Sequence, residues 1–343
     1  MTDAKKHFPP IGYVLIAVFI WSTGGLFIKL TSLDAYQVTF FRSLLAAITV
    51  LLVTRKDTLR INAFGILASV IYATLLFLFV WATKHGTAAN AIFLQYTAPI
   101  YILILAPFVI GEKFHFRDLV TVAFCIAGMS LFFVGKLDVT AYQANIAALG
   151  SGIFLGLYIM LLRHPKIVGS RQLAVGGGGQ SEPPASAGGQ FDNVEVNAIL
   201  PTSAADPPLQ KPARSKGARN SSQPLNPLVT VIYGNFLLAI ATAPFGITAI
   251  PTMTSTDWFA VSFLGIVQIG VAYILFIKGV TGGTRPLDAS IIGFIEPLLN
   301  PVWVFLKFGE QPTNWAILGG AIIIATVLIH TLAQYRRSFE STL

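Results

Sequence analysis

One stretch decides the fold: residues 289–311 read ASIIGFIEPLLNPVWVFLKFGEQ, and residues 91–113 repeat their pattern as AIFLQYTAPIYILILAPFVIGEK. In both copies a proline, Pro99 or Pro297, stands inside an apolar run and is followed, after 11 intervening residues, by Gly-Glu. This dipeptide occurs nowhere else in the chain, and the offset of 198 residues holds throughout. Self-similarity within apolar sequence is typical of transporters built from two repeats.

Composition independently indicates an integral membrane protein. Of the 343 residues, 54% are hydrophobic and only 11% are charged, whereas soluble domains have roughly 25% charged residues. A helix needs about 20 apolar residues to cross a bilayer. Such stretches lie at ten places in the chain: 11–28, 36–53, 61–82, 87–109, 118–135, 144–162, 228–247, 257–277, 286–307 and 314–333. We therefore expect an all-α membrane protein with ten transmembrane helices.

The charges in the loops predict the orientation of these helices. With the N-terminus placed in the cytoplasm, the inner segments contain 18 Lys and Arg residues and the outer segments contain four. Because Lys and Arg are retained on the cytoplasmic side during insertion, both termini are expected to be cytoplasmic. The net charge of +8 is spread over these loops without aromatic interleaving, so no nucleic-acid partner is expected.

Residues 163–227 interrupt the apolar pattern with a polar stretch rich in Gly, Pro and Ser. This composition predicts a disordered cytoplasmic insert, which serves either as a plain linker or as a mildly basic contact to anionic lipid headgroups. We expect one five-helix repeat in residues 1–162 and a second, with a short cytoplasmic tail, in residues 228–343. Because five is odd, the two five-helix repeats would be inverted relative to each other.

Several short motifs carry a family resemblance. They are Trp21-Ser22 with Gly24-Gly25 and Lys29, the stretch FRSLLAA at 41–47, AANA at 88–91, and EPLLNPVW at 296–303 with Gly309-Glu310. Together they resemble the drug/metabolite transporter superfamily, in its ten-span EamA-domain branch, over residues 11–162 and 228–333. The resemblance implies transport of amino acids, other small metabolites or drugs, with export common, and it names no cargo.

Glu296 is the candidate functional carboxylate. It lies about ten residues into the ninth expected span, roughly 15 Å deep at 1.5 Å per residue. An ionisable group near the midplane is unfavourable unless it faces a cavity or a partner, so by default it marks a functional site. It would suit protons as a coupling ion or an amine-bearing substrate, and a structural hydrogen bond to a neighbouring helix is the alternative. The equivalent residue in the first copy is Ala98.

The two repeated prolines predict interruptions of their helices. A proline lacks the N–H group and clashes with the preceding turn, which frees the carbonyls of Gln95 and Gly293. Free carbonyls in a membrane need protein or water around them, so a substrate could use them there. A purely architectural kink is an equally good interpretation.

Spacing groups the remaining candidates around one cavity. Gly293, Glu296, Asn300 and Trp303 share a helix face, and aligning Lys84 with Lys278 places Thr74 opposite Gln268. Tyrosines could supply amphipathic walls, although they also serve as ordinary packing residues. The expected substrate-binding residues are Trp21, Ser22, Tyr72, Thr74, Gln95, Tyr96, Pro99, Gln268, Tyr273, Glu296, Pro297, Asn300 and Trp303.

Arg42 is the one Lys or Arg residue in the interior of an expected span, since Lys307 is the last residue of its span. It lies about six residues from the outer end, so its guanidinium is expected to snorkel toward the headgroups. A structural or gating contact is therefore favoured over direct binding of an anionic substrate.

Enzyme signatures are missing from the chain: it has no His-Glu-x-x-His, Gly-x-Ser-x-Gly or Walker motif, so no enzyme, cofactor or metal site is expected. The favoured function is a secondary transporter in the cell membrane, plasma or inner, that moves a small amphipathic metabolite such as an amino acid. Transport would proceed by alternating access around a midplane cavity within the lipid bilayer. A polar-lined channel or a receptor-like membrane protein is the alternative.

Overall fold

A computed structural model of the chain describes residues 8–54, 58–132, 134, 140–164, 167, 225–308 and 313–340. Within these ranges all regular structure is helical, and the described residues belong to one compact unit. The helices are α1 (Pro10–Trp21), α2 (Gly24–Leu30), α3 (Ala35–Val53), α4 (Ala63–His85), α5 (Ala88–Gln95), α6 (Ala98–Val109), α7 (Phe116–Phe132), α8 (Tyr142–Leu162), α9 (Leu228–Ala249), α10 (Ser255–Ser262), α11 (Ala272–Thr281), α12 (Pro286–Gly293), α13 (Ile295–Phe308) and α14 (Asn314–Glu340). A 3₁₀ turn at Ile250–Thr252 extends α9, and a π-helical segment at Phe263–Val271 joins α10 to α11.

Long apolar helices confirm the expected all-helical membrane class. Eight stretches of the described chain are long and apolar enough to cross a membrane: 10–30, 35–53, 63–85, 90–109, 142–162, 228–252, 255–281 and 314–333. Helix α7 and the pair α12–α13 lie where the two other spans are expected. The insert predicted at 163–227 falls almost entirely outside the described residues.

The helix order bears on the expected division of the chain at the insert. Six span-length helical stretches, from α1–α2 to α8, precede residue 163, and four, from α9 to α14, follow residue 227. Six of the ten expected stretches therefore lie before the insert, because α8 precedes it, and the position of the boundary between the repeats stays a prediction.

Two of the interrupted spans break where the repeated prolines predict. Helix α5 ends at Gln95 and α6 begins at Ala98, while α12 ends at Gly293 and α13 begins at Ile295. Each break lies within three residues before a proline, whose nitrogen cannot donate to the carbonyl four residues earlier and whose ring clashes with it. The repeated sequence pattern thus forms a repeated structural feature.

Two further spans depart from regular α-helix without a proline. The first breaks at Ser22-Thr23, between α1 and α2, and the eighth contains the π-helical segment Phe263–Val271. A π-helical segment widens the turn and is frequent at functional sites. Four of the spans are therefore irregular near their middle.

Helices that are distant in sequence pack side by side: α3 lies along α9, α4 along α8, α1 along α11, and α7 along α14. Glycines allow the backbones of some of these helices to pack closely together. A Cβ added at Gly234 of α9 would lie 2.8 Å from the backbone oxygen of Ser69 on α4. Large apolar side chains elsewhere on these helices, such as Leu52 and Ile240, are exposed, as expected for a surface that faces lipid.

Candidate functional site

A small buried cavity lies where the four irregular spans meet. Its volume is about 50 Å³. The described residues around it are Trp21, Arg42, Leu75, Leu76, Phe79, Gln95, Tyr96, Leu155, Gln268, Ile269, Tyr273 and Glu296. Six of the thirteen expected binding residues are among them, so the structure brings together side chains that are up to 275 positions apart in the chain.

Glu296 and Tyr96 join the two proline breaks. The Tyr96 hydroxyl donates a hydrogen bond of 2.6 Å to Oε2 of Glu296, and both side chains are buried. Tyr96 lies in the break between α5 and α6, and its ring covers Gly293, where an added Cβ would lie 2.9 Å from a ring carbon. The absence of a side chain at Gly293 therefore allows the phenol to reach the carboxylate on α13.

The carbonyl that Pro99 releases faces protein. A Cβ added at Gly152 of α8 would lie only 2.8 Å from the backbone oxygen of Gln95, so α8 covers this oxygen closely. The Gln95 side chain also contacts α8, because its Nε2 donates a 2.8 Å hydrogen bond to Ser151 Oγ. In this conformation the break is held by α8, which favours the architectural interpretation of the free carbonyl.

Arg42 lies deeper than expected. Its side chain is 1% exposed and borders the cavity, so the prediction that it snorkels to the headgroups is wrong. The physical reason is the face of α3 on which it lies: α3 packs against the π-helical segment, and a Cβ at Gly265 would be 2.8 Å from the Arg42 backbone oxygen. Nε and Nη1 of Arg42 are buried without a hydrogen-bond partner among the described residues.

Gln268 and Trp21 complete the polar surface of the cavity. The amide of Gln268 covers Gly24 at the start of α2, where an added Cβ would lie 2.5 Å from Nε2. The Gln268 Oε1 and the Trp21 Nε1 atoms are buried and, within the described part of the chain, have no hydrogen-bond partner. The Trp21 ring packs against Tyr273 with centroids 4.8 Å apart.

Tyr72 and Tyr273 form an aromatic wall with Tyr158. The rings of Tyr72 and Tyr273 meet edge to face with centroids 4.9 Å apart, and Tyr72 lies at the same distance from Tyr158. Tyr72 is fully buried behind the cavity, and its hydroxyl accepts a hydrogen bond from Asn235 Nδ2. It supports the cavity wall through Tyr273.

The other expected residues lie around the cavity without lining it. Trp303 donates through Nε1 to the hydroxyl of Ser22, at 2.9 Å, which ties α13 to the break after α1. Thr74 donates its hydroxyl to the Val70 carbonyl of its own helix. Pro99 and Pro297 are buried at their breaks, and the side chain of Asn300 is outside the described part of α13.

Sequence reasoning missed the apolar half of the lining: Leu75, Leu76, Phe79, Leu155 and Ile269. These residues carry no signal in a membrane sequence, because every span is rich in the same residue types. Ser151 and Asn235, which hold Gln95 and Tyr72, were also missed. Their mid-span positions in α8 and α9 were the available signal, since buried polar side chains in membrane helices usually have partners.

One end of the bundle is closed by an arginine cluster, which comprises Arg285, Asp118, Asp288 and His330. Arg285 donates from Nη2 to Asp288 at 2.8 Å and lies 3.4 Å from Asp118 at the start of α7. His330 of α14 lies 2.8 Å from the same Asp288 oxygen. Burial alone would lower the pKa of Arg285, but the bonds to Asp288 and Asp118 raise it overall.

The opposite end is closed by the Asp257 contact. Asp257, at the start of α10, accepts hydrogen bonds from the backbone and the hydroxyl of Ser32, at 2.8 and 3.0 Å. Lys84 donates to the carbonyl of Thr31 at 3.1 Å. The first span runs from Pro10 to Leu30. Its start packs at Gly282, three residues before Arg285, and its end is followed by Ser32. The two closures therefore lie at opposite ends of this span.

A larger groove of about 670 Å³ lies elsewhere, between α7 and α14. Its surface is mostly apolar, with Phe124, Ile322 and Ile329 along it, and Phe124 and Ile329 are exposed. Such an open apolar surface suits lipid chains better than a polar solute. The central cavity, with its convergent polar groups, is therefore the candidate site. Among the described residues, no group of three His, Cys, Asp or Glu is placed to hold a metal ion.

Comparisons with known proteins agree with this architecture. A human protein named Solute carrier family 35 member G1 is 27% identical over an alignment of 184 residues that covers 47% of this chain and 50% of that protein. The chain thus spans about half the length of that relative. A solved crystal structure with 15% identity has a TM-score of 0.63 and covers 94% of this chain and 97% of its own, which shows a shared fold.

A family model matches most of the chain. It covers residues 9–134 and again residues 217–332, so the first match ends before α8 begins. Together with the long apolar helices, this double match makes the chain a multi-pass membrane protein of a family that transports small solutes. The chain belongs to the EamA-like transporter family.

Proposed function

We propose that this protein is a secondary transporter that moves a small amphipathic metabolite, an amino acid or a related compound, across the cell membrane by alternating access. One observation carries the proposal: four irregular spans meet at a buried cavity with polar groups from both ends of the chain. Interrupted helices around a central site are the common construction of secondary transporters. The human relative, named a solute carrier, supports transport of a solute.

The arrangement of the spans follows from this proposal. We assign ten spans to two inverted five-helix repeats, at residues 10–132 and 142–333, with both termini in the cytoplasm. The lopsided loop charges support this orientation, and the two family-model matches support two repeats. The insert then lies inside the second repeat, on the cytoplasmic side, as a linker.

Closures at both ends supply the gates. In the proposed orientation the arginine cluster closes the cytoplasmic side and the Asp257 contact closes the outer side. Both contacts are present in the structure, and in this proposal a state with both contacts formed is the occluded one. Opening one side requires separation of α7, α12 and α14, and opening the other requires separation of α2 from α10.

Glu296 is the candidate coupling or amine-binding group. Its hydrogen bond from Tyr96 connects the α5–α6 break to α13. Protonation of this carboxylate, or its pairing with an amine on the solute, would change that bond. A change of charge in the cavity would therefore be transmitted to both proline breaks.

Counterflow in proteoliposomes tests the proposal. Liposomes containing the purified protein are loaded with a mixture of the twenty protein amino acids, and each labelled amino acid is then supplied outside at low concentration. A carrier produces transient, saturable accumulation of at least one label, whereas protein-free liposomes produce none. Absence of accumulation together with single-channel currents in planar bilayers would favour the channel alternative and overturn the proposal.

A further inference from the structure

We propose that Arg42 is the anchor for a carboxylate group of the transported solute, an inference that rests on the proposed transport function. Arg42 would bind the solute with Trp21 as a second donor in the same cavity as Glu296. The solute would then carry one carboxylate and an apolar or aromatic body.

The unpartnered polar atoms of the cavity are mostly donors. Among its lining residues, Arg42 Nε, Arg42 Nη1 and Trp21 Nε1 are buried donors without partners in the described part of the chain, and Gln268 Oε1 is the corresponding acceptor. A buried donor without an acceptor is strongly unfavourable, and a buried cation more so. Three donors against one acceptor fit an oxyanion that enters the cavity.

Among the described residues, Arg42 has no counter-ion. None of the ion pairs found among the described residues includes Arg42. The ring of Tyr273 lines the same cavity, and a phenol carries no charge near pH 7. A structural arginine in a membrane bundle normally pairs with a carboxylate or with backbone carbonyls, so a purely structural role does not account for this position.

A second ionisable group in the cavity, Glu296, favours an anion that carries a single charge. Glu296 contributes its own carboxylate, held by Tyr96, and the cavity is only about 50 Å³ when closed. A phosphate dianion would be repelled by Glu296 and would leave charge unneutralised in a low-dielectric site. A monocarboxylate neutralises Arg42 and leaves Glu296 free to act on an amine or a proton.

The walls around Arg42 favour an apolar body on the solute. Leu75, Leu76 and Phe79 of α4 line the cavity together with Tyr273. These surfaces exclude water, which strengthens a hydrogen bond between a guanidinium and a carboxylate. Arg42 should therefore select a carboxylate over a neutral group more strongly than an arginine on an exposed surface does.

Matched small probes test the inference without knowledge of the natural solute. Isothermal titration of the purified full-length protein compares benzoate with benzamide, which has the same shape without the charge, and with the dianion phenylphosphonate. We expect wild-type protein to bind benzoate roughly 10- to 100-fold more tightly than benzamide, the factor that a charge-assisted hydrogen bond contributes. Equal affinities for benzoate and benzamide, or tighter binding of phenylphosphonate, would overturn the proposal without any variant.

Variants then assign the preference to Arg42. In Arg42→Gln the ratio of the affinities for benzoate and benzamide should fall to about 1, and Arg42→Lys should retain part of the wild-type ratio. The control is Arg60→Gln, at an exposed position, which should keep the full ratio. A preserved preference in a folded Arg42→Gln protein refutes the role of Arg42. If wild-type counterflow of amino acids persists in that case, the transport function stands. If instead Arg42-dependent benzoate binding is found without any counterflow, the site stands and the transport proposal fails.

Discussion

At the scale of single residues, the hydrogen bond from Tyr96 to Glu296 is the contact most directly linked to function. Its donor lies in one proline break and its acceptor beside the other. The sequence predicts both residues at the site, but it does not predict the hydrogen bond between them. Spacing along a helix defines a face, whereas this contact depends on how α13 passes the α5–α6 break.

Replacement of either partner should alter transport in a different way. Tyr96→Phe keeps the ring over Gly293 but removes the bond to the carboxylate, and uptake should fall roughly tenfold, as for loss of a hydrogen bond to a charged group. Glu296→Gln should flatten the dependence of uptake on pH, because the titrating carboxyl group is gone. Initial uptake rates between pH 5 and 8 measure both effects. Tyr101→Phe on α6, outside the lining, is the control, and wild-type pH profiles in Glu296→Gln would remove that residue from coupling.

Glycines two positions apart on α8 allow a direct test of close packing. A Cβ at Gly152 would lie 2.8 Å from the Gln95 backbone oxygen, whereas at Gly150 it would meet only the end of the Leu78 side chain, at 3.3 Å. We expect Gly152→Ala to destabilise the protein by about 1–3 kcal/mol, as overpacking does, and Gly150→Ala to have little effect. Thermal unfolding of both variants in detergent measures the difference. Equal midpoints would show that α8 does not hold the break.

At the scale of helices, the breaks differ in how well sequence could predict them. Pro99 and Pro297 predict two breaks, because a proline always removes one backbone hydrogen bond. The break at Ser22-Thr23 and the π-helical segment have no proline. Both depend on tertiary contacts, such as that of Gln268 with Gly24 and of Gly265 with Arg42. The same limit explains Arg42: its distance from the helix end was known, but the burial of its face depends on the packing of α3.

A proline pair on α6 tests whether the first break is needed for transport. Pro99 lies at the break, and Pro107 lies inside α6 near its end. Pro99→Ala restores a backbone donor and favours continuous helix, which would displace Tyr96 from Glu296. We expect counterflow to fall at least several-fold in Pro99→Ala and to stay near wild type in Pro107→Ala. Similar activity in the two variants would show that the break serves architecture alone.

At the scale of the whole molecule, the class of the protein could be predicted from composition and from the repeated pattern, whereas the boundary between the repeats stays a prediction. The insert suggests a boundary between the two repeats because it is the longest polar stretch in the chain. The helices show that α8 precedes it and packs along α4. Outside the spanning segments, Glu112 lies near the arginine cluster. Burial raises the pKa of its carboxyl group, although the charges of Arg285 and Arg163 act in the opposite direction.

Weakening one closure at a time should expose the cavity from one side. A reporter, Leu76→Cys, is placed in a Cys125→Ala background. Adding Asp288→Asn removes charge from the arginine cluster, and labelling by a membrane-impermeant thiol reagent should rise several-fold from the cytoplasmic side. Adding Asp257→Asn instead should raise labelling from the outer side. Equal labelling from both sides in either variant would contradict the assignment of gates.

Deletion within the insert tests its role as a linker. Removal of residues 171–220 leaves enough chain to join α8 to α9, and loop length affects closure entropy only weakly. We expect counterflow to remain within about twofold of wild type. Loss of counterflow in a protein that still enters the membrane would assign the insert a further role.

The pairing of α3 with α9 has a consequence for biosynthesis. From the end of α3 at Val53 to the start of α9 at Leu228 the ribosome must add 175 residues, which takes about 9 to 35 seconds at 5–20 residues per second. During that interval α3 resides in the membrane without its main packing neighbour, and its buried guanidinium faces lipid or the insertion machinery. The transporter should therefore be most vulnerable to quality control before its seventh span emerges, and the insert prolongs that period.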